Sequence, residues 1–172
     1  MIHINIGSNL NSKFGNRIDN ISMAINLLIE SKFNIIKISN FYQTPSYPNK
    51  KLPNFLNVGT LGTFNSNLQD LFKIIILIER KIGRVKTKKN DPRVCDIDII
   101  DFNGDTLNSK KISTPHKKCH IRNFVLYPIN QIDPKWVHPV LGKNVNFLIK
   151  KLNIKSRIEI TRLNKSVIIN ND

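Results

Sequence analysis

Two stretches of helical periodicity, each flanked by runs of strand periodicity, constrain this chain more than any other feature. From Asn16 to about Ser31, the residues Ile18, Ile21, Met23, Ala24, Leu27 and Leu28 recur at the spacing of one helix face. A second helix is predicted to start at Ser66 or Asn67, either of which can cap it, and to run through Ile82 to a stop at Gly83. Strands surround these helices. "MIHINIGSNL" alternates Ile2, Ile4 and Ile6 with polar neighbours and breaks at Gly7-Ser8-Asn9. Residues 33–45 and 54–64 read as two further strands, separated by the proline-containing loop 46–53. Val94 to Phe102 reads as a fourth strand with a hairpin turn at Asn103-Gly104, after which residues 106–112 pair back. The basic stretch 84–93 is expected to be a mobile loop, and 113–123 another loop. The chain from Phe124 reads as a short helical closing segment, and 155–172 as a final strand plus tail. Strands separated by two amphipathic helices imply an α+β layer fold, with one largely antiparallel sheet covered by helices. No repeat or linker divides residues 1–172, so a single domain is expected.

Composition narrows the setting. No apolar run approaches the ~20 residues of a membrane helix, and the N-terminus lacks a signal-peptide pattern, so a cytoplasmic protein with no membrane partner is expected. Cys95 and Cys119 are the only cysteines and form no CxxC pair. Disulfides and a zinc site are therefore not expected, and both thiols are read as reduced and semi-buried. The formal net charge is +15, but 24 asparagines and abundant Lys and Ile suggest drift toward A+T-rich codons. Such drift adds lysines wherever they are tolerated, so position carries more information than the total.

Position is informative at "RVCDIDIIDFNG", residues 93–104. Of 12 acidic residues, three fall here and Asp105 follows. Alternation along a strand puts Asp96 and Asp98 on one face, about 7 Å apart, with Ile97 and Ile99 pointing to the core. Asp101 has the opposite parity and is not expected to be a ligand. Paired carboxylates repel unless a cation neutralises them. Mg²⁺ suits them, because it takes one or two carboxylates and completes its shell with water and phosphate oxygens. The bland reading is a solvated sheet face with two incidental aspartates. Against it, Arg80, Lys81, Arg84, Lys86, Lys88, Lys89 and Arg93 crowd the fourteen residues before the strand, with Asp91 the one acid among them. A cationic loop beside paired aspartates is what a polyphosphate–Mg²⁺ complex requires. No GxxxxGK[ST] loop is present, which excludes a P-loop enzyme.

The order IGSNL (6–10), FYQTP (41–45), NFLN (54–57), ERKIGR (79–84), DPRVCDIDI (91–99) and STPHKKCHIRNFVLYP (113–128) resembles the 6-hydroxymethyl-7,8-dihydropterin pyrophosphokinases of folate biosynthesis, over residues 2 to about 140. The resemblance implies a ferredoxin-like α+β domain of three αβα layers. It implies transfer of the β,γ-diphosphate of ATP, the co-substrate, to the pterin's hydroxymethyl oxygen, with release of AMP. By it, Asp96 and Asp98 ligate two Mg²⁺, and Arg84 and Arg93 close over the phosphates as catalytic cations. Glu79, Lys86, Ile99, Lys111, Ser113, His116, Lys117 and Arg122 flank the nucleotide. Phe55 and Phe124 sandwich the pterin ring, Asn57 meets its amino-pyrimidinone edge, and Thr44, Pro45 and Tyr47 wall the pocket. Lys86 and Lys111 stand where the family commonly has arginine, and Lys117 where it has an aromatic. Lysine keeps the charge but loses the bidentate fork. His3, His120 and His138 are read as surface-loop histidines with no role, and a monomer is expected.

Two other classes remain in view. The IGSNL turn with DIDI is superficially like a nucleotidyltransferase, although about ninety residues separate the two elements here. A basic RNA-binding module would spread its charge over one face and expose aromatics on its strands. Here the cations gather beside aspartates that repel a nucleic-acid backbone, so no nucleic acid partner is expected.

Overall fold

The computed structural model describes residues 1–47, 49–85 and 91–167. Its first strand, β1 (Ile2–Ser8), is buried at every position. That burial follows from its place between β4 (Phe55–Thr63) and β5 (Asp96–Phe102), to both of which it runs antiparallel. The full sheet runs β5-β1-β4-β3-β8, and β2 (Asn34–Ile38) also pairs with β4. Here β3 is Tyr42–Thr44 and β8 is Thr161–Arg162.

The two long helices form where the periodicity predicts them. Asn16 caps α1 (Arg17–Glu30) by accepting from the N–H groups of Ile18 and Asp19, while the Asp19 carboxylate takes the N–H of Asn16. Asn67 caps α2 (Leu68–Ile82), and Gly83 ends it at φ 109°, a left-handed conformation that glycine adopts without a Cβ clash. Both helices cover one face of the sheet, where Ile4, Ile6, Val58 and Ile97 pack with Ile21, Leu28, Leu71 and Ile78. Each such side chain contributes about 1.5–3 kcal/mol on burial. The opposite face carries α3 (Asn123–Ile132) and α4 (Val145–Lys151), whose Leu126, Ile129 and Leu148 gather around Ile100 and Trp136. Helices on both faces of an antiparallel sheet give the three-layer, ferredoxin-like α+β architecture expected.

Four local readings change. Residues 33–45 form two strands along β4, because Ser39 Oγ accepts the Gly59 N–H at 2.9 Å and the chain leaves the ladder until Tyr42. Residues 106–112 do not pair back on β5. They offer one apolar side chain, Leu107, before Ile112, and form instead a two-residue ladder between β6 (Leu107–Asn108) and β7 (Ser113–Thr114). The closing region contains a further helix, α5 (Ile154–Ile158), ahead of the short β8. Finally, the register passes from Ile4↔Ile99 to His3↔Asp101, so Ile100 is an extra residue in β5. This bulge puts Asp101 on the same face as Asp96 and Asp98, reversing the predicted parity. Its carboxylate is nonetheless committed to the core, accepting from Trp136 Nε1 at 2.7 Å and from the Gly104 N–H at 2.8 Å.

Neither cysteine is semi-buried: both are fully enclosed. His3 and His138 are likewise buried, not on surface loops, because the β1–β5 pairing and the Trp136 cluster enclose them.

Candidate active site

An edge strand presents unpaired backbone groups, and β5 is such a strand. Its outer side is completed by side chains and loop. The Ile97 N–H donates to Glu79 of α2 at 2.8 Å, the Phe102 N–H to Thr114 Oγ1 at 3.1 Å, and the Ile100 carbonyl accepts the His116 N–H at 2.9 Å. Between α2 and the 109–117 segment lies a cavity of about 320 Å³, lined by Phe72, Ile97, Asp98 and Ile99 on one side and by Lys110, Lys111, Ser113, His116 and Lys117 on the other. Three lysines on one wall make it a basin for an anion.

His116 is set up as a hydrogen-bond donor. The Lys118 N–H donates to its Nδ1 at 3.2 Å, which leaves the ring proton on Nε2. Burial, reinforced by Arg122, pushes its pKa down to about 4, so the ring is neutral at neutral pH. Nε2 lies 3.4 Å from Arg122 Nη1. Two donors side by side suit a shared anionic oxygen.

The acidic pair stands at the mouth of this cavity. Asp96 Oδ1 lies 2.7 Å from Arg84 Nη1 and 3.0 Å from Arg93 Nη1. Asp98 Oδ2 is 3.4 Å from Arg122 Nη1. Burial and the neighbouring charge of Asp96 push the Asp98 carboxyl up to about 7. Beneath them Glu79 is buried, holding both the Ile97 N–H and the Arg84 guanidinium. Burial raises its carboxyl above the usual range, against the pull of Arg84.

A second group of candidate residues lies on the sheet face that carries the acid pair. Strand pairing places Gly7 opposite Asn57 on one side and opposite Asp96 on the other, and Thr44 opposite Phe55. A Cβ on Gly7 would stand 2.7 Å from Asn57 Oδ1 and 3.6 Å from Phe55 Cδ1, so glycine is what lets the Asn57 amide lie across this position. Among the described residues, Asn57 Nδ2 is one of seven buried side-chain atoms with no hydrogen-bond partner, and it is free to donate to a ligand acceptor. Phe124 projects from the first turn of α3, with the Arg122 guanidinium 5.4 Å from its ring centre. Arg122 thus touches the cavity wall at His116, the acid pair at Asp98 and the ring of Phe124.

Residues 3–134 match the family model described as 7,8-dihydro-6-hydroxymethylpterin-pyrophosphokinase. The chain belongs to this family. A 2-amino-4-hydroxy-6-hydroxymethyldihydropteridine pyrophosphokinase of Aquifex aeolicus is 32% identical over 142 residues, covering 83% of this chain and 86% of that one. The folic acid synthesis protein FOL1 of Dictyostelium discoideum is 32% identical over 154 residues, which are 90% of this chain but 22% of that protein. This chain therefore spans about a fifth of the longer relative. In fold it is similar to Plasmodium falciparum HPPK-DHPS with pterin and p-hydroxybenzoate, at a TM-score of 0.72 and 16% identity, over 94% of this chain and 46% of that one.

Against the family expectation, Asp98, Ile99, Lys111, Ser113, His116 and Lys117 all line the single 320 Å³ cavity, while Ile97 and Ile99 also contribute to the core. Glu79 sits beneath the acid pair as a brace. Thr44, Phe55 and Asn57 share one face, with Pro45 following Thr44. Tyr47 is 82% exposed in its loop and does not pack among them. Lys86 and the rest of 86–90 lie outside the described residues.

The sequence reading assigned no role to Asn9, and the structure gives it a central one. Its Oδ1 accepts the Arg93 N–H at 2.7 Å, and its Nδ2 donates to Ser46 Oγ at 3.2 Å and the Pro53 carbonyl at 3.1 Å. One buried amide thereby joins the arginine loop to the 46–53 loop. Its signal was its place in IGSNL, directly after a buried strand. Elsewhere, Cys119, His120 and His138 come within ligating distance of one another. However, His138 Nδ1 accepts the N–H groups of Val140 and Leu141, both at 3.2 Å, so its Nε2 carries the proton and has no lone pair to offer a metal.

Proposed function

We propose that this chain transfers the β,γ-diphosphate of ATP to the hydroxymethyl oxygen of 6-hydroxymethyl-7,8-dihydropterin, releasing AMP. The observation that carries this reading is Arg122, which lies 3.4 Å from His116 Nε2, 3.4 Å from Asp98 Oδ2 and 5.4 Å from the Phe124 ring centre. One cation thereby joins a lysine-lined cavity that suits a nucleotide triphosphate, the acid pair, and an aromatic side chain that suits a flat heterocycle. The proposed pterin recess lies on the sheet face of Phe55 and Asn57.

The pterin lies between Phe55 and Phe124, and Asn57 Nδ2 donates to a ring acceptor. ATP occupies the lysine-lined cavity, where His116 Nε2–H and Arg122 share a phosphate oxygen. Arg84 and Arg93, held at the site by Asp96, neutralise the charge that spreads over the transferred diphosphate. The hydroxymethyl oxygen attacks the β-phosphorus, its bond to the bridging α–β oxygen breaks, and AMP leaves with that oxygen.

Asp96 and Asp98 are hard oxygen donors on one strand face, and burial together with the charge of Asp96 opposes ionisation of Asp98, a cost that a bound cation would offset. They fit two Mg²⁺ ions. Bound there, Mg²⁺ neutralises phosphate oxygens and lowers the pKa of the attacking hydroxyl. We further propose that residues 1–172 fold as one pyrophosphokinase domain that works in the cytoplasm as a monomer. Among the described residues no helix is long and apolar enough to cross a membrane.

The test is identification of the nucleotide product by ³¹P NMR after incubation with ATP, Mg²⁺ and the pterin alcohol. AMP with pterin diphosphate is expected. ADP, or pyrophosphate with a nucleotidylated acceptor, overturns the assignment.

A further inference from the structure

The family match ends at residue 134, yet the chain beyond it contacts β3, the first turn of α3 and the 46–53 loop, which bear on the proposed pterin recess or adjoin it. We propose that residues 153–165 form a positioning clamp that sets the geometry of that recess, an inference that rests on the function proposed above.

Three contacts carry it. The first is sheet extension: β8 pairs with β3 through Tyr42↔Arg162 and Gln43↔Thr161, and the Leu163 N–H donates to the Phe41 carbonyl at 2.8 Å. Thr44 is the next residue of β3, so its height above the sheet is set from this edge. The second is at α3. Asn123 Nδ2 donates to the Ser156 carbonyl at 2.6 Å while its Oδ1 accepts the Phe124 N–H at 2.7 Å. One side chain thus ties α5 to the turn that projects the aromatic wall. The third is an ion pair between Glu159 and Lys50, which lies in the 46–53 loop. Asn9 grips the same loop from the opposite side through the Pro53 carbonyl.

These contacts suit positioning better than core stability. No residue of α5 is buried, so that part of the clamp is held by a few polar contacts, while Leu163 beyond it packs against the core. Loosening α5 shifts the proposed recess without removing a buried side chain from either hydrophobic layer. The nucleotide cavity, built on β5 and residues 109–117, shares none of the three contacts.

The experiment compares the full chain with Asn123→Asp, Glu159→Lys, Lys50→Glu and the double variant Lys50→Glu/Glu159→Lys, measuring kcat, both KM values and Tm. Asn123→Asp is nearly isosteric and keeps the Phe124 contact, but sets an oxygen against the Ser156 carbonyl. Each single variant is expected to raise KM for the pterin about fivefold, the scale of one lost hydrogen bond or ion pair. KM for ATP and kcat should stay within about twofold, and the double variant should return the pterin KM toward wild type. Unshifted pterin KM, equal rises for both substrates with a falling Tm, or failure of the charge swap to restore binding overturns the clamp. An active wild type with unshifted variants counts against the clamp alone, whereas a wild type that forms no AMP overturns the proposed function and the clamp with it.

Discussion

Arg84 Nη1 lies 2.7 Å from Asp96 Oδ1, while the same guanidinium is held from below by Glu79. The proposed catalytic cation is thus fixed between an acid of the candidate site and an acid that braces the fold. The two acids should respond differently to mutation.

Asp98→Asn removes a site acid whose ionisation burial and Asp96 already oppose. Turnover is expected to fall by about 10³ or more, equivalent to several kcal/mol of lost charge stabilisation. Thermal stability should stay level or rise. AMP formation and a melting curve check the pair of outcomes; a large drop in Tm would show that the residue serves the core.

Glu79→Ala strands the buried Ile97 N–H, which costs about 1–3 kcal/mol and lowers Tm by several degrees. Glu79→Gln retains an oxygen for that N–H and should recover most of the stability. It cannot hold Arg84 as an ion pair, so kcat should remain about tenfold down, a loss near 1.4 kcal/mol. Equal stability losses in the two variants would contradict this division of roles.

Gly7→Ala drives a methyl to within 2.7 Å of Asn57 Oδ1 and against the Phe55 ring. The expected result is a pterin affinity about tenfold weaker, with ATP affinity unchanged. Isothermal titration with each ligand separates the two.

Phe124→Ala removes one flat wall of the recess. Stacking on an aromatic side chain is worth about 1–3 kcal/mol per heterocycle, so pterin affinity should fall by roughly one to two orders of magnitude. Unaltered pterin binding would remove Phe124 from the site.

His116 should titrate with a midpoint near 4, well below the ordinary 6.5, because burial and then Arg122 oppose its charged form. The unfolded chain therefore takes up this proton first. The stability it contributes is complete above about pH 6.5 and is lost as pH falls toward 4. An NMR titration of the ring protons reads the midpoint, and His116→Asn should flatten that part of the stability curve. A midpoint near 6.5 would place the ring in open solvent.

What was legible without a structure was local. Periods of 2 and 3.6 residues located β1, α1, β4 and α2, since they depend on which face of a single element is apolar. Asn67 and Gly83 announced their caps through backbone chemistry within one turn, and Asn16 marked where the first helical period begins. The acidic strand and the cations before it were visible as charge density alone.

What only the tertiary structure decided depends on register between distant segments. One extra residue at Ile100 turns Asp101 onto the ligand face, and no period in the sequence records a bulge that a partner strand imposes. Asn9 acquires its role because strand pairing carries Arg93 and Pro53 to the same buried amide. The edge of β5 is closed by Thr114 and His116, not by the segment that follows its turn, because residues 106–112 lack an apolar face to bury. Side-chain pattern sets what each element is; the pairing of backbones far apart in the chain sets which of its residues meet.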